Sequence, residues 1–134
     1  MFKPLQYDSG KLVSLQYAIS QTITKGMALV VTGGYLTEGA TSSEDIRYVA
    51  MEDVTTDGSS HTEGLVLPVD GVRFEATSDE AVAQANCGTR CDLATSLTIN
   101  YDAVTEKVFF IEKLVGTTAV TKTVQGYFNR FTAS

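Results

Sequence analysis

The stretch KVFFIEKLVGTTAVTKTVQGYFNRF, residues 107–131, contains two runs of β-branched and aromatic residues separated by a short GTT segment. Short runs of this composition, bounded by turn residues, predict β-strands. A third run of the same kind, SLTINYD at residues 96–102, precedes them and is separated from them by DAVTE. The sequence therefore predicts that the chain closes in three consecutive strands.

The preceding part of the chain repeats this pattern of short strands and polar turns. Alternating or continuous apolar runs occur at residues 11–23, 27–32, 46–54 and 65–77, with turn signals such as Gly33-Gly34, Asp57-Gly58 and Asp70-Gly71 between them. With 134 residues, one ordinary core is expected. We predict an all-β fold of some seven to nine strands, a small antiparallel β-barrel or β-sandwich. Period-two patterns leave a β-tulip-like barrel, an SH3-like barrel and a two-sheet sandwich as alternatives.

Two regions depart from that pattern. Residues 1–17 show no clean period at their start and are interpreted as an N-terminal arm or an edge strand, with residues 18–134 as a single β domain. In TSDEAVAQAN, Thr77 and Glu80 have capping-box spacing and are followed by alanines. This pattern predicts one short helix at about residues 78–85.

The charge and apolar pattern exclude several classes of partner. The formal net charge is −6, so the chain lacks the basic surface that phosphate binding requires, and we expect no nucleic-acid partner. No apolar segment has the length of a signal peptide or of a membrane span, so we expect a protein made in a cytoplasm and not inserted in a membrane.

The chain has two cysteines, Cys87 and Cys91 in NCGTRCDL, and one histidine, His61. A structural zinc site needs four ligands, which this inventory does not provide, and we expect no metal. A redox pair needs two intervening residues at a helix N-terminus, whereas these cysteines have three intervening residues and follow the predicted helix. A local disulfide and two packed thiols remain as alternatives.

Catalytic patterns are also missing from the sequence. His61 lies in a Gly- and Ser-rich loop and is interpreted as a solvated loop residue, since nothing near it resembles a nucleophile elbow. The adjacent acid pairs Glu52-Asp53 and Asp79-Glu80 do not form the paired carboxylates of a glycosidase, because neighbours on a strand face opposite ways and acids at a helix start complement its dipole. We expect no enzyme and no cofactor.

The order of several short pieces resembles the capsid decoration, or cement, proteins of tailed bacteriophages. The pieces that carry the resemblance are KGMALVV, IRYVAMEDV, EGLVLPVDGVRFEAT, CGTRCDL, SLTINYD and QGYFNRF, within residues 20–131. The family pattern has a strand of the YVA type, a Gly-Thr-x-x-Asp-Leu turn and a last hydrophobic strand ending in Gly-x-Phe. The two cysteines and the N-terminal arm depart from that pattern.

The resemblance implies a structural virion protein on the outside of an icosahedral shell, often a homotrimer, that clamps neighbouring major capsid subunits. For the contact with the capsid or with another subunit, the candidate residues are Phe2, Leu5, Tyr7 and Tyr17, whose side chains could bury apolar area on a partner. The alternative for this arm is an edge strand of its own domain or of a trimer neighbour.

Two other function classes are kept as hypotheses. One is a glycan-binding or adhesin-like β-sandwich, in which Tyr35, Tyr48 and Tyr101 would form a stacking site. The other is an enzyme whose site has no recognisable motif.

Overall fold

The computed structural model describes residues 1–116, 118 and 120–129. Within this part, the chain forms thirteen strands and two short 3-10 turns, Ser9–Lys11 and Gln84–Asn86. The strands are β1 (Phe2–Pro4), β2 (Val13–Gln16), β3 (Thr22–Ile23), β4 (Ala28–Thr32), β5 (Tyr35–Glu38), β6 (Tyr48–Ala50), β7 (Val54–Thr55), β8 (Glu63–Pro68), β9 (Phe74–Ala83), β10 (Arg90–Thr95), β11 (Thr98–Asn100), β12 (Phe109–Leu114) and β13 (Val120–Phe128). The predicted all-β class is confirmed.

Five of the strands close into a barrel in the order β9-β11-β10-β12-β13, because β13 pairs back onto β9. The three predicted closing strands are β11, β12 and β13; of the last predicted run, residues 119, 130 and 131 lie outside the described residues. Four of the five pairings are antiparallel, but β9 and β11 are parallel. The barrel alternative is therefore confirmed, with one parallel pairing that strand periodicity does not predict.

A second sheet has the order β2-β8-β6-β4-β5, and β3 pairs with β7 as a separate two-stranded ribbon. A parallel bridge between Tyr17 and Leu36 connects the two edges of this second sheet, supported by the Ala18 N–H, which donates to the Leu36 carbonyl oxygen at 2.9 Å. The Gly33-Gly34 turn predicted from the sequence joins β4 to β5, with φ values of 59° and 89°. Strand β5 was not among the predicted apolar runs, because only Tyr35 and Leu36 separate the two glycines from the polar residues that begin at Thr37.

The central strands β6 and β8 of the second sheet are covered on both faces, which explains why they are nearly continuously apolar. Along β4, β6 and β8, alternate residues face two different clusters: Ala28, Val49 and Leu67 lie in the first core, and Leu29, Ala50 and Val66 in the second. The first core continues into the barrel interior, where the rings of Phe2, Phe74, Phe109 and Phe128 contact one another with centroids 5.0–5.8 Å apart. The barrel and the second sheet therefore share the first core.

The Gly-x-Phe end of the last strand, Gly126-Tyr127-Phe128, is fixed by this interior. Phe128 is completely buried, and a Cβ on Gly126 would overlap the carbonyl oxygen of Phe110 and the ring of Phe109. Only glycine permits the approach of β13 to β12 at this point.

The predicted helix at residues 78–85 is wrong. Strand β9 continues to Ala83, and only the 3-10 turn at Gln84–Asn86 follows it. Thr77 and Ser78 pair with β11, and Val82 and Ala83 pair with β13. The pairing of β9 with β13 has a register shift between Thr77 and Val82, so residues 79–81 lie in an irregular part of the strand. Complete burial of Val82 contributes about 1.5–3 kcal/mol, more than the roughly 1 kcal/mol of a helix cap, so tertiary packing overrides the local helix signals.

Candidate interaction surface

Two of the four predicted contact residues, Phe2 and Tyr17, lie inside the molecule. Phe2 is 0% exposed and belongs to the aromatic cluster of the barrel, while Tyr17 is 0% exposed and fills the second core. Strands β1 and β2, which carry the N-terminal residues, pair with β9 and β8 of the same chain. The prediction that Phe2 and Tyr17 contact a partner is therefore wrong, because their side chains are already buried by their own fold.

The other two predicted residues, Leu5 and Tyr7, are on the surface. Leu5 is 42% exposed and Tyr7 36%, and Val13, at the start of β2, is 38% exposed. We call these three exposed side chains, which lie within residues 5–13, the N-terminal patch. It is held in place by local contacts: the Leu5 N–H donates to the Arg73 carbonyl oxygen at 3.0 Å, and Lys11 Nζ donates to the Asp70 carbonyl oxygen at 2.9 Å. The patch therefore presents apolar side chains from a fixed backbone.

Tyr17 carries a hydroxyl that is buried and has no hydrogen-bond partner within the described residues. Burial, followed by the carboxylate of Glu52, raises the pKa of Tyr17 to about 12. The hydroxyl is therefore neutral at physiological pH, and its burial opposes folding.

Both cysteines are free thiols in the structure. Cys91 is completely buried in β10, and desolvation, followed by the carboxylates of Asp92 and Asp79, raises the pKa of its thiol to about 12. Cys87 is partly exposed and packs against the first core. Because the predicted helix before them does not exist, the environment of the thiols is set by barrel packing and not by a helix dipole.

The backbone next to the cysteines is stabilised by their neighbours in sequence, Gly88, Thr89 and Asp92. Gly88 has a φ of 89°, and its N–H donates to the Ile111 carbonyl oxygen at 2.7 Å. The Asp92 carboxylate is 5% exposed and accepts backbone N–H bonds from Thr105, Glu106 and Lys107 at 3.2, 2.7 and 2.8 Å. Asp92 therefore organises the loop between β11 and β12.

His61 is exposed, as predicted, but it is not free of contacts. Its ring stacks on Tyr35 with centroids 3.8 Å apart, and its Nδ1 lies 2.9 Å from the Tyr17 carbonyl oxygen. The ring thus covers the place where the edges of the second sheet meet. Tyr48 packs against the second core and Tyr101 against the first, so these two tyrosines belong to different cores.

The outer face of the barrel carries an arrangement that sequence reasoning missed. The Arg90 guanidinium lies 5.7 Å from the ring centroid of Phe110, and Phe110 stacks on Tyr127 at 4.9 Å with an interplanar angle of 18°. These residues are direct cross-strand neighbours on β10, β12 and β13. We call Arg90, Phe110 and Tyr127 the barrel face; its signal in the sequence is the alternation in VFFIE and GYF, which turns one aromatic residue inward and the next outward.

Within the described residues, no group of three or more His, Cys, Asp or Glu side chains is arranged to hold a metal ion. In the same part of the chain, no helical segment has the length and apolar composition needed to cross a bilayer. Comparisons with protein-family models and with curated proteins found no match for this chain. The surfaces described above are therefore the basis for assigning a function.

Proposed function

We propose that this protein is a structural virion protein that binds the outer surface of an assembled tailed-phage capsid and clamps neighbouring major capsid subunits. In this proposal it is made in the host cytoplasm, acts as a homo-oligomer, with a trimer favoured, and has no catalytic role. The observation that carries the proposal is the N-terminal patch, in which Leu5, Tyr7 and Val13 are exposed on a backbone that is anchored to the barrel and to the second sheet.

A clamp needs apolar side chains on a segment that is already ordered in the free protein. Ordering a loose arm on binding would cost conformational entropy and reduce the affinity. The bonds from Leu5 and Lys11 to the segment around Gly71 supply this order before any partner is bound. Aromatic side chains such as that of Tyr7 are enriched at the centre of protein interfaces, and Leu5 and Val13 add exposed apolar area from the same segment.

The pieces of sequence that resemble cement proteins also support the proposal. They include Gly126 and Phe128, which fix the packing of β13, and Asp92, which fixes the loop before β12. The barrel depends on these three residues, so its fold is compatible with the scaffold that the resemblance implies.

The test is co-sedimentation of the purified protein with undecorated, expanded capsids. Absence of the protein from the pellet at about micromolar concentration, with the shell intact, would overturn the proposal. Deleting residues 1–10 is a poor variant because it removes the buried Phe2. The double variant Leu5→Ser, Tyr7→Ser changes only exposed side chains and is expected to lower the affinity at least tenfold.

Val31→Ser is the matched control. Val31 is 40% exposed, nearly the same as Leu5, but it lies on β4 of the second sheet. The control is expected to bind like the unchanged protein. If the double variant also binds like the unchanged protein, the N-terminal patch is not the capsid contact.

A further inference from the structure

The chain contains two Asp-Gly pairs, Asp57-Gly58 and Asp70-Gly71, and the fold places them in different surroundings. In such a pair the glycine nitrogen can attack the side-chain carboxyl carbon of the aspartate, because glycine has no Cβ to hinder the approach. The attack requires the peptide bond after the aspartate to rotate towards the side chain. The rate of the reaction therefore depends on how much local structure must open to allow that rotation.

The first pair, Asp57-Gly58, lies in an exposed loop. Residues 57–63 are all exposed, and residues 56–62, between β7 and β8, belong to no strand. The Asp57 carboxylate accepts the N–H groups of Ser59 and Ser60 at 2.9 and 2.7 Å, which holds it against the backbone that follows it. Rotation after Asp57 breaks hydrogen bonds at the surface, but it moves no side chain out of a core.

The second pair, Asp70-Gly71, lies in a turn whose two ends are buried. The Val72 N–H donates to the Val69 carbonyl oxygen at 3.2 Å, and Gly71 has a φ of 73°. Val69 is 0% exposed and Val72 1%, both in the first core. The Asp70 carbonyl oxygen also accepts the bond from Lys11 Nζ at 2.9 Å. Rotation after Asp70 would therefore break this turn and pull buried valines from the core.

We propose that Asp57 is a site of spontaneous isomerisation to isoaspartate and that the fold protects Asp70 from the same reaction. The Gly58 nitrogen forms a bond to Asp57 Cγ and loses its proton, and the hydroxyl of the protonated carboxyl group leaves with that proton as water. The product is a five-membered succinimide ring. Water then attacks the former main-chain carbonyl carbon and breaks its bond to the Gly58 nitrogen, so that the main chain runs through Cγ. The sequence of steps needs no oxidant and leaves the mass of the protein unchanged.

The isomerised residue changes the contacts of the neighbouring turn. The Ser20 N–H donates to the Asp57 carbonyl oxygen at 2.7 Å, and Ser20 has a φ of 58°, which is uncommon for a residue other than glycine. Isoaspartate adds a methylene group to the main chain and displaces this acceptor. The Ser20 amide is therefore expected to exchange its hydrogen faster in the isomerised protein. Because the loop lies outside the N-terminal patch, this inference does not depend on the proposed function.

The first experiment ages the purified protein at about pH 6, which is above its isoelectric point of about 4.6. A mildly acidic pH is needed because the N–H groups of Ser59 and Ser60 lower the pKa of Asp57 and the protonated acid is the reactive form. Trypsin cleaves after Lys and Arg, so a single peptide, residues 48–73, contains both Asp-Gly pairs. Electron-transfer fragmentation of this peptide distinguishes isoaspartate from aspartate at each position, with unaged protein as the control for reaction during digestion.

In the folded protein, isoaspartate is expected to accumulate at least about tenfold faster at residue 57 than at residue 70. A tenfold ratio corresponds to a difference of about 1.4 kcal/mol in the free energy of local opening. Protein unfolded in urea at the same pH is expected to react at similar rates at both positions. Equal rates in the folded protein, or no isoaspartate at residue 57 where the unfolded protein forms it, would overturn the inference.

The second experiment uses one variant of each pair. Asp57→Glu lengthens an exposed side chain, so a six-membered ring would have to form, and it should abolish the product at residue 57 while residue 70 reacts as before. Val72→Ala keeps the Asp70-Gly71 sequence but removes buried methyl groups, and it should speed the reaction at residue 70 several-fold without changing the rate at residue 57. Circular dichroism checks that both variants fold. An unchanged rate at residue 70 in Val72→Ala would refute the protective role of the buried turn.

Discussion

Replacing Phe2 by alanine should destabilise the whole protein, even though Phe2 is the second residue of the chain. The ring is 0% exposed and lies 5.8 Å from the ring of Phe109 and 5.0 Å from that of Phe128, centroid to centroid. Burial of a phenylalanine side chain contributes about 1.5–3 kcal/mol, and aromatic pairs add about 0.5–1.5 kcal/mol each. With the cavity left behind, we expect Phe2→Ala to lower the free energy of unfolding by about 3–5 kcal/mol.

Urea denaturation followed by circular dichroism measures this loss. For a domain of this size, an m-value of about 2 kcal/mol per molar urea converts a loss of 4 kcal/mol into a midpoint shift of about 2 M. Leu5→Ala is the control, because Leu5 is 42% exposed in the same segment, and its effect should stay within about 0.5 kcal/mol. If Phe2→Ala shifts the midpoint no more than Leu5→Ala does, Phe2 is not part of the barrel interior in solution.

Three further predictions follow from buried polar and ionisable groups. Tyr17→Phe removes a buried hydroxyl that has no hydrogen-bond partner among the described residues. The free energy of unfolding, measured by urea denaturation, should stay unchanged or rise by up to about 2 kcal/mol. A loss above about 1 kcal/mol would show that the hydroxyl is hydrogen-bonded. Asp92→Ala removes the acceptor of three backbone N–H groups and should lower the free energy of unfolding by about 2–4 kcal/mol. The specific readout is faster amide hydrogen exchange at residues 105–107, and unchanged exchange there would contradict the role of Asp92. The pKa of the Cys91 thiol is raised to about 12, so Cys91 stays protonated at pH 8 and is also buried. A thiol reagent should therefore label only Cys87 until the protein is unfolded. Rapid labelling of both cysteines would contradict the burial of Cys91.

The strands were predictable wherever burial and local propensity agree. Residues 107–115 and 120–128 have β-branched and aromatic residues in alternation, and both form strands of the barrel. In contrast, Ser78–Ala81 has helix-favouring residues with a capping signal, and its strand conformation depends on β11 and β13, which occur later in the chain. No local pattern contains that information, because the pairing partners are distant in sequence.

The contact surface was predictable only in part, for a related reason. Phe2, Leu5, Tyr7 and Tyr17 have similar apolar character, and the sequence does not distinguish those that enter a core from those that remain outside. Phe2 is drawn inward because β1 pairs with β9 in a register that places it opposite Ala76. Register across 74 residues is a tertiary property, so only the structure separates Leu5 and Tyr7 from the other two.

The residues that carry the resemblance to cement proteins and the residues that would bind a partner are different sets. Gly126, Phe128 and Asp92 are constrained by close packing or by backbone N–H groups, so the barrel of this chain depends on them. Leu5 and Tyr7 are not constrained in this way, because they are exposed and the barrel closes without their side chains. Variants of the first set therefore test the fold, and only variants of the second set can test whether this protein binds a capsid.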